Sequence, residues 1–135
     1  MKKDIDIPAV KDVYVAAVLE ENQGEADVWD IYLINDKNEP LEGVMITSRG
    51  YMETEAGTEM LSSTLRHKVG DVPAKSAVKV EIILPQVFEI YNEYWATFFC
   101  ANKLLERKFV FGPFTIDKNF LEDLPGLTEK GILVK

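Results

Sequence analysis

Apolar and polar residues alternate along much of the chain, and the alternation is clearest between residues 78 and 84. The residues concerned are Val78, Lys79, Val80, Glu81, Ile82 and Leu84. In a strand the four aliphatic side chains would share one face and the two charged ones the other, whereas a helix would scatter them over all sides. The pattern predicts a half-buried strand that ends at Pro85.

Other short β-prone runs lie between turn signals. They cover residues 13–19, 28–34, 41–48, 94–101 and 104–111, with weaker candidates at 62–68 and 131–134. The polar turn at 35–40 predicts a hairpin between the second and third runs, and the polar stretch 50–59 predicts an exposed loop. Residues 86–92 predict one helical turn that crosses between two sheets.

No helix of ordinary length separates these runs, so parallel βαβ units are not expected. We predict an all-β or mainly β chain with one domain over residues 1–135. The expected fold is an immunoglobulin-like, two-sheet antiparallel sandwich of about seven strands. One short helix is expected near the C-terminus, where Asp117 could cap a segment containing Phe120, Leu121 and Leu124.

The hairpin over residues 94–111 predicts a candidate interaction surface. A two-residue turn at Asn102-Lys103 would pair Cys100 with Leu105. One face then carries a core set, with Arg107 as its only charge. The residues of this set are Tyr94, Ala96, Phe98, Cys100, Leu105, Phe109 and Phe111.

The opposite face of that hairpin carries Trp95 and Phe99 beside Glu106 and Lys108. Aromatic residues next to charges are typical of interaction surfaces. Either the C-terminal segment with Phe120 and Leu124 covers these aromatics, or a protein partner or second copy does.

Composition narrows the class of protein. The chain has 135 residues, a formal net charge of -8 and one cysteine, so it forms no internal disulfide. Without disulfides a reducing, cytoplasmic location is expected. Asp4, Asp6 and Pro8 interrupt the apolar run that a signal peptide needs, and no apolar run approaches the length of a membrane span. The acidic balance predicts neither nucleic-acid nor membrane binding.

Candidate chemistry is sparse, and we predict no catalytic residue, no metal site and no cofactor. His67 is the only histidine, and no motif places a nucleophile beside it. Cys100 lies on the predicted core face, where a free cysteine acts as a small apolar residue. Residues 36–40 resemble a calcium loop but lack its glycine and closing glutamate. The acids between Glu20 and Asp27 are expected to be a solvated loop.

Several segments resemble a family of uncharacterised small bacterial proteins. They are Val13–Val18, Trp29–Asn35, Ser48–Tyr51 and Phe109–Phe111. Some members are labelled automatically as a phenylalanyl-tRNA synthetase alpha subunit, but the resemblance implies no demonstrated activity. A class II synthetase core is much longer and carries arginine-bearing ATP-binding motifs, which are absent from this sequence.

Two functions remain open from the sequence. The first is a non-catalytic protein-interaction or homodimerising module that uses Trp95 and Phe99. The second is a small-molecule binder or enzyme with a pocket between or at the end of the sheets, where Arg66, His67 or Arg107 would supply converging polar groups.

Overall fold

The structure, a computed structural model, describes residues 10–20 and 28–134. Within these ranges the chain forms ten strands and two single 3-10 turns, Pro85–Val87 and Lys118–Phe120. The strands are β1 (Val13–Glu20), β2 (Val28–Asn35), β3 (Leu41–Thr54), β4 (Gly57–Met60), β5 (Leu65–Val72), β6 (Ser76–Ile83), β7 (Tyr91–Cys100), β8 (Lys103–Phe111), β9 (Glu122–Asp123) and β10 (Lys130–Val134). The predicted mainly β class is confirmed, but the predicted count of about seven strands is too low.

The strands form two antiparallel sheets. Sheet A has the order β6-β2-β1-β10-β9, and sheet B has the order β4-β3-β7-β8, with β5 also paired to β3. Alternate residues of both sheets meet in one buried cluster, which includes Trp29 and Ile31 from sheet A and Tyr94 and Phe98 from sheet B. We call the side of each sheet that is turned away from this cluster its outer face.

The hairpin β7–β8 confirms the predicted faces but corrects their register. The turn is Ala101-Asn102, and both residues have positive φ, 50° and 63°. Cys100 therefore pairs with Lys103, and Phe98 pairs with Leu105. The turn starts one residue earlier than predicted, which shifts the pairing by two positions. A shift of two leaves every side chain on its predicted face, because side chains alternate with a period of two.

The predicted hairpin between residues 28–34 and 41–48 is wrong, because β2 belongs to sheet A and β3 to sheet B. Asn35 directs this crossing. Its fully buried side-chain amide donates to the carbonyls of Glu39 at 2.9 Å, Val72 at 3.2 Å and Pro73 at 3.0 Å. These bonds satisfy backbone groups where the chain leaves one sheet for the other.

The predicted loop at 50–59 is also wrong, because β3 continues to Thr54 and then pairs with β4. Gly50 lets β3 pass close to the turn before β7. A Cβ on Gly50 would lie 2.8 Å from Ile90 Cδ1. The Gly50 amide donates to Ser62 Oγ at 2.6 Å, which fixes the segment between β4 and β5 against β3.

The C-terminal segment differs from the predicted helix. Asp117 does cap it, since the Asn119 amide donates to Asp117 Oδ1 at 2.8 Å, but only the single 3-10 turn follows. The chain then extends, and Leu124 packs with Ala16, Val18 and Ile34 on the outer face of sheet A. Among the described residues, no helix has the length and apolarity that crossing a membrane would require.

Candidate functional site

Trp95 and Phe99 lie on the outer face of sheet B and are 39% and 49% exposed. The C-terminal segment does not cover them: Leu124 packs on sheet A, and Phe120 is itself 58% exposed. The sequence left two possibilities open for what covers these aromatic residues. The first, cover by the C-terminal segment of the same chain, is not observed in the described residues.

The Trp95 side chain is flanked by both charges that the sequence placed beside it. Its indole Nε1 donates to Glu106 Oε2 at 3.4 Å, and Lys108 Nζ lies 5.9 Å from the centre of its ring. Met45 and Leu104 are also exposed on this face, so the aromatic residues belong to a wider apolar area. Large exposed apolar areas with a polar surround are typical of interaction surfaces.

The outer face of sheet B carries charges of both signs. At its paired positions the basic residues are Arg49, Arg66, Lys68 and Lys108, and the acidic residues are Glu42, Glu53, Glu93 and Glu106. Four basic and four acidic residues leave a formal charge of 0, on a chain whose formal net charge is -8. This face is therefore much less acidic than the rest of the molecule.

One end of the face is held rigidly by Arg49. Its guanidinium binds the buried Glu93 carboxylate through two bonds, of 2.8 Å and 3.3 Å, and lies 5.5 Å from the Tyr51 ring centre. Tyr51 stacks on Tyr91 with ring centres 5.2 Å apart. Partial burial and the nearby Glu93 carboxylate raise the pKa of the Tyr51 hydroxyl, which stays neutral at physiological pH.

A second candidate site lies between the sheets, and a bulge in β6 creates it. Ile31 pairs with Glu81, but the next pair is Tyr32 with Lys79, so Val80 is extra. The bulge interrupts the predicted alternation: Ile82 faces out and is exposed, whereas Glu81 points across to sheet B. A bulge re-aims side chains in this way because two residues oppose one on the partner strand.

Three side chains of sheet B donate to the Glu81 carboxylate. Ser48 Oγ lies 3.1 Å and His67 Nε2 2.7 Å from Oε1, while the Tyr94 hydroxyl lies 2.6 Å from Oε2. Burial, together with the adjacent negative charge and hydrogen bond of Glu81, strongly raises the pKa of Tyr94, so its hydroxyl remains a donor. Burying a carboxylate is costly unless such donors compensate it.

This arrangement does not form a nucleophile–base pair. A serine nucleophile needs its hydroxyl bonded to the histidine that will take its proton. Here Ser48 and His67 both bond to the same oxygen of Glu81. The three side chains hold a carboxylate in place, which suits binding better than acyl transfer.

The Glu81 carboxylate opens into a groove of about 470 Å³, a volume within the usual range of small-molecule sites. Its walls include Leu65, Leu84, Val87 and Ile90, and its floor includes Ser48, Glu81, Asn92 and Tyr94. We call this site the Glu81 groove.

Sequence reasoning identified one of the groups around this groove. Of the three predicted polar groups, His67 reaches Glu81. Arg66 instead points to the outer face of sheet B. Arg107 donates to the carbonyls of Val10 and Val13 and lies 4.6 Å from the centre of the Phe109 ring.

Another groove, of about 450 Å³, lies on the outer face of sheet A beside Asp30 and Tyr32. Lys79 Nζ lies 3.2 Å from Asp30 Oδ1, and this bond and charge raise the pKa of Lys79. The Lys79 ammonium group thus compensates the charge of the Asp30 carboxylate beside this groove.

Comparison with known proteins leaves the family open. No protein-family model matches the chain, and no curated protein matches it. The resemblance to small bacterial proteins therefore stays a prediction. In the part of the chain that the structure describes, no three His, Cys, Asp or Glu side chains are grouped to hold a metal ion. The N-terminal residues 1–9 and the acidic stretch 21–27 lie outside the described residues.

Proposed function

We propose that the protein is a non-catalytic, cytoplasmic interaction module that forms a homodimer through the outer face of sheet B. The observation that carries this proposal is the exposure of Trp95 and Phe99, at 39% and 49%, on a face that the described chain leaves open. Tryptophan, tyrosine, methionine and arginine are enriched at protein interfaces, and all four occur on this face.

The proposal includes a sandwich of the immunoglobulin-like kind. Its support is the shared core and two partial strand orders, β6-β2-β1 within sheet A and β5-β3-β7-β8 within sheet B. These orders correspond to the E-B-A and C′-C-F-G sheets of that architecture. In this arrangement β3 and β7 correspond to strands C and F, and the proposed contact lies on their outer face.

Charge favours a second copy as the occupant of this face. Two chains of formal charge -8 repel each other through most of their surfaces. The outer face of sheet B, with a formal charge of 0, is where two copies approach with the least electrostatic repulsion. A two-fold contact is self-complementary, and this face offers both Glu106 and Lys108 beside Trp95.

The size of the face predicts the strength of pairing. Four strands at a spacing of ~4.8 Å give a width of about 19 Å, and nine residues along β7 give a length of about 27 Å. Each copy would then bury about 500 Å² and the pair about 1,000 Å², near the lower limit for a specific interface. We therefore expect a reversible dimer whose population rises with concentration.

Sedimentation velocity over a concentration series tests the proposal. The wild type should shift from monomer to dimer, and Trp95→Asp should remain a monomer because it buries a charge at the centre of the contact. Phe120→Asp is the matched control, since it makes the same kind of change at an exposed aromatic of the C-terminal turn, away from this face. A wild type that stays monomeric throughout the series would overturn the homodimer.

A further inference from the structure

The Glu81 groove has no role in the proposed dimer, because it lies between the sheets and the dimer uses the outer face of sheet B. Leu65 and Leu84 are about half exposed at its rim. Two large exposed aliphatic side chains beside a largely buried carboxylate are an unusual surface, since apolar residues are normally buried and carboxylates normally solvated. A ligand with an apolar body and a hydrogen-bond donor would cover the exposed aliphatic side chains and bind the carboxylate.

Stability alone does not explain the carboxylate. A buried ionic group is often no more stable than apolar residues of similar volume. Glu81 faces a core of large apolar side chains, yet the bulge at Val80 turns this acid inward and leaves the isoleucine that follows it exposed. The local sequence thus places a charge where packing alone would favour an aliphatic residue, as binding sites often do.

The charge at the floor of the groove selects the ligand. Among the described residues, no lysine or arginine forms an ion pair with Glu81, whose histidine contact is a hydrogen bond to His67 Nε2. Ser48 and Tyr94 are neutral donors, and the Tyr94 hydroxyl stays protonated. Arg49 also borders the groove, but its guanidinium is bound to Glu93. The groove therefore favours a cation and disfavours an anion.

The Glu81 carboxylate has room for one more donor. Oε1 accepts from Ser48 and His67, whereas Oε2 accepts from Tyr94 alone. A carboxylate has about four acceptor positions, so one position on Oε2 is left for a ligand. A primary ammonium group suits it, because it is a compact cation whose attached chain can lie along the aliphatic walls.

We propose that the Glu81 groove binds a small amphipathic amine, with the ammonium group on Glu81 Oε2 and the apolar body between Leu65 and Leu84. Free amines are the proposed ligands. A lysine side chain of another protein carries the same head group, but its backbone would have to enter the groove with the side chain.

A matched set of three probes tests the ligand class without any mutation. Hexylammonium, 1-hexanol and hexanoate share one alkyl chain and differ in the charge of the head group. We expect hexylammonium to shift the amide NMR signals of Ser48, Glu81 and Leu84, and to bind about tenfold to a hundredfold more tightly than hexanol. Hexanoate should not bind. Equal binding of hexylammonium and hexanol would show a merely apolar groove and overturn the proposal.

Two variants locate the binding site. Glu81→Gln removes the charge with little change in shape and should reduce hexylammonium binding to the level of hexanol. Glu89→Gln removes the same charge from an exposed position near the groove that is not part of its lining, and should leave binding unchanged. Equal losses in both variants would indicate general electrostatic attraction and contradict the proposed site.

Separate control variants test whether a loss of binding comes from unfolding or from a change in dimerisation. If Glu81→Gln unfolds, Leu84→Ser removes part of the exposed wall and should weaken hexylammonium binding while leaving hexanol the weaker ligand. Trp95→Asp should bind hexylammonium as the wild type does, whatever its oligomeric state. Loss of amine binding would therefore leave the proposed dimer intact, and loss of the dimer would leave the groove intact.

Discussion

The hydrogen bond between Tyr94 and Glu81 predicts that Tyr94→Phe changes the free energy of unfolding in opposite directions with and without Glu81. In the wild type, Tyr94→Phe removes a 2.6 Å hydrogen bond to a carboxylate that is 14% exposed at its side chain. Hydrogen bonds to charged groups contribute about 1.5–3 kcal/mol. Some water can reach the carboxylate, so we expect the lower end of that range, a loss of about 1.5 kcal/mol in the free energy of unfolding.

The same substitution should stabilise a chain that lacks the carboxylate. Glu81→Leu leaves the Tyr94 hydroxyl buried without an acceptor, because Tyr94 is 1% exposed and Glu81 is the hydrogen-bond partner found for its hydroxyl. An unpaired buried polar group costs about 1–3 kcal/mol. Tyr94→Phe then removes that cost, so in the Glu81→Leu background it should raise the free energy of unfolding by about 1 kcal/mol.

Urea unfolding of the four chains of this double-mutant cycle measures the effect. The midpoints should give a coupling energy of about 2–3 kcal/mol, with the urea dependence (m-value) unchanged. Tyr91→Phe is the control, since its ring stacks on Tyr51 instead of facing Glu81, and its effect should be the same in both backgrounds. If Tyr94→Phe costs the same with and without Glu81, the carboxylate and the hydroxyl are not coupled and the geometry of the groove floor is wrong.

Further predictions concern the folded framework. Asn35→Ala should lower the free energy of unfolding in urea by about 2–3 kcal/mol, because it leaves three carbonyls at the crossing between sheets without their donor. The control Asn38→Ala, at an exposed position, should leave the free energy of unfolding nearly unchanged. Gly131→Ala should cost about 2–3 kcal/mol, since its Cβ would collide with the Ala17 carbonyl oxygen; Gly112→Ala, where the nearest atom is 3.7 Å away, should cost little in the same assay. The raised pKa of Tyr94 stabilises the fold at pH values below the ordinary tyrosine pKa near 10, and as the pH rises further the unfolded chain ionises first. Wild-type stability should then fall faster than that of Tyr94→Phe by up to about 1.4 kcal/mol per pH unit, and parallel curves above pH 10 would contradict this.

Sequence patterning predicted most strands because alternation is a local signal. It also placed the side chains of β7 and β8 on their correct faces despite the wrong register, since the error of two positions preserves the faces. The turn itself was misplaced by one residue because Ala101, with its positive φ, carries no turn signature. Register depends on the conformation of such single residues, which composition does not show.

The predicted hairpin between β2 and β3 failed for a long-range reason. Residues 35–40 have good turn chemistry, but the Asn35 side chain bonds to Val72 and Pro73, more than thirty residues away. The extension of β3 through Gly50 was not predicted for the same reason, because its contacts come from the distant residues Ser62 and Ile90. Polar composition alone indicated a loop.

The groove was the least predictable feature. Alternation placed Glu81 on a solvated face, and one extra residue at Val80 reversed that placement. Nothing in the local sequence marks the bulge, so Glu81, Ser48 and Tyr94 were not recognised as a group. His67 was recognised only because it is the single histidine in the chain.

The most direct test of the central claim follows the indole signals of the two tryptophans by NMR as a soluble nitroxide is added. Trp29 is 2% exposed, and its signal should resist broadening at every protein concentration. The Trp95 signal should broaden strongly in dilute protein and become protected as the concentration rises and a second copy covers the outer face of sheet B. Protection of Trp95 in dilute protein, or equal broadening at all concentrations, would contradict the account.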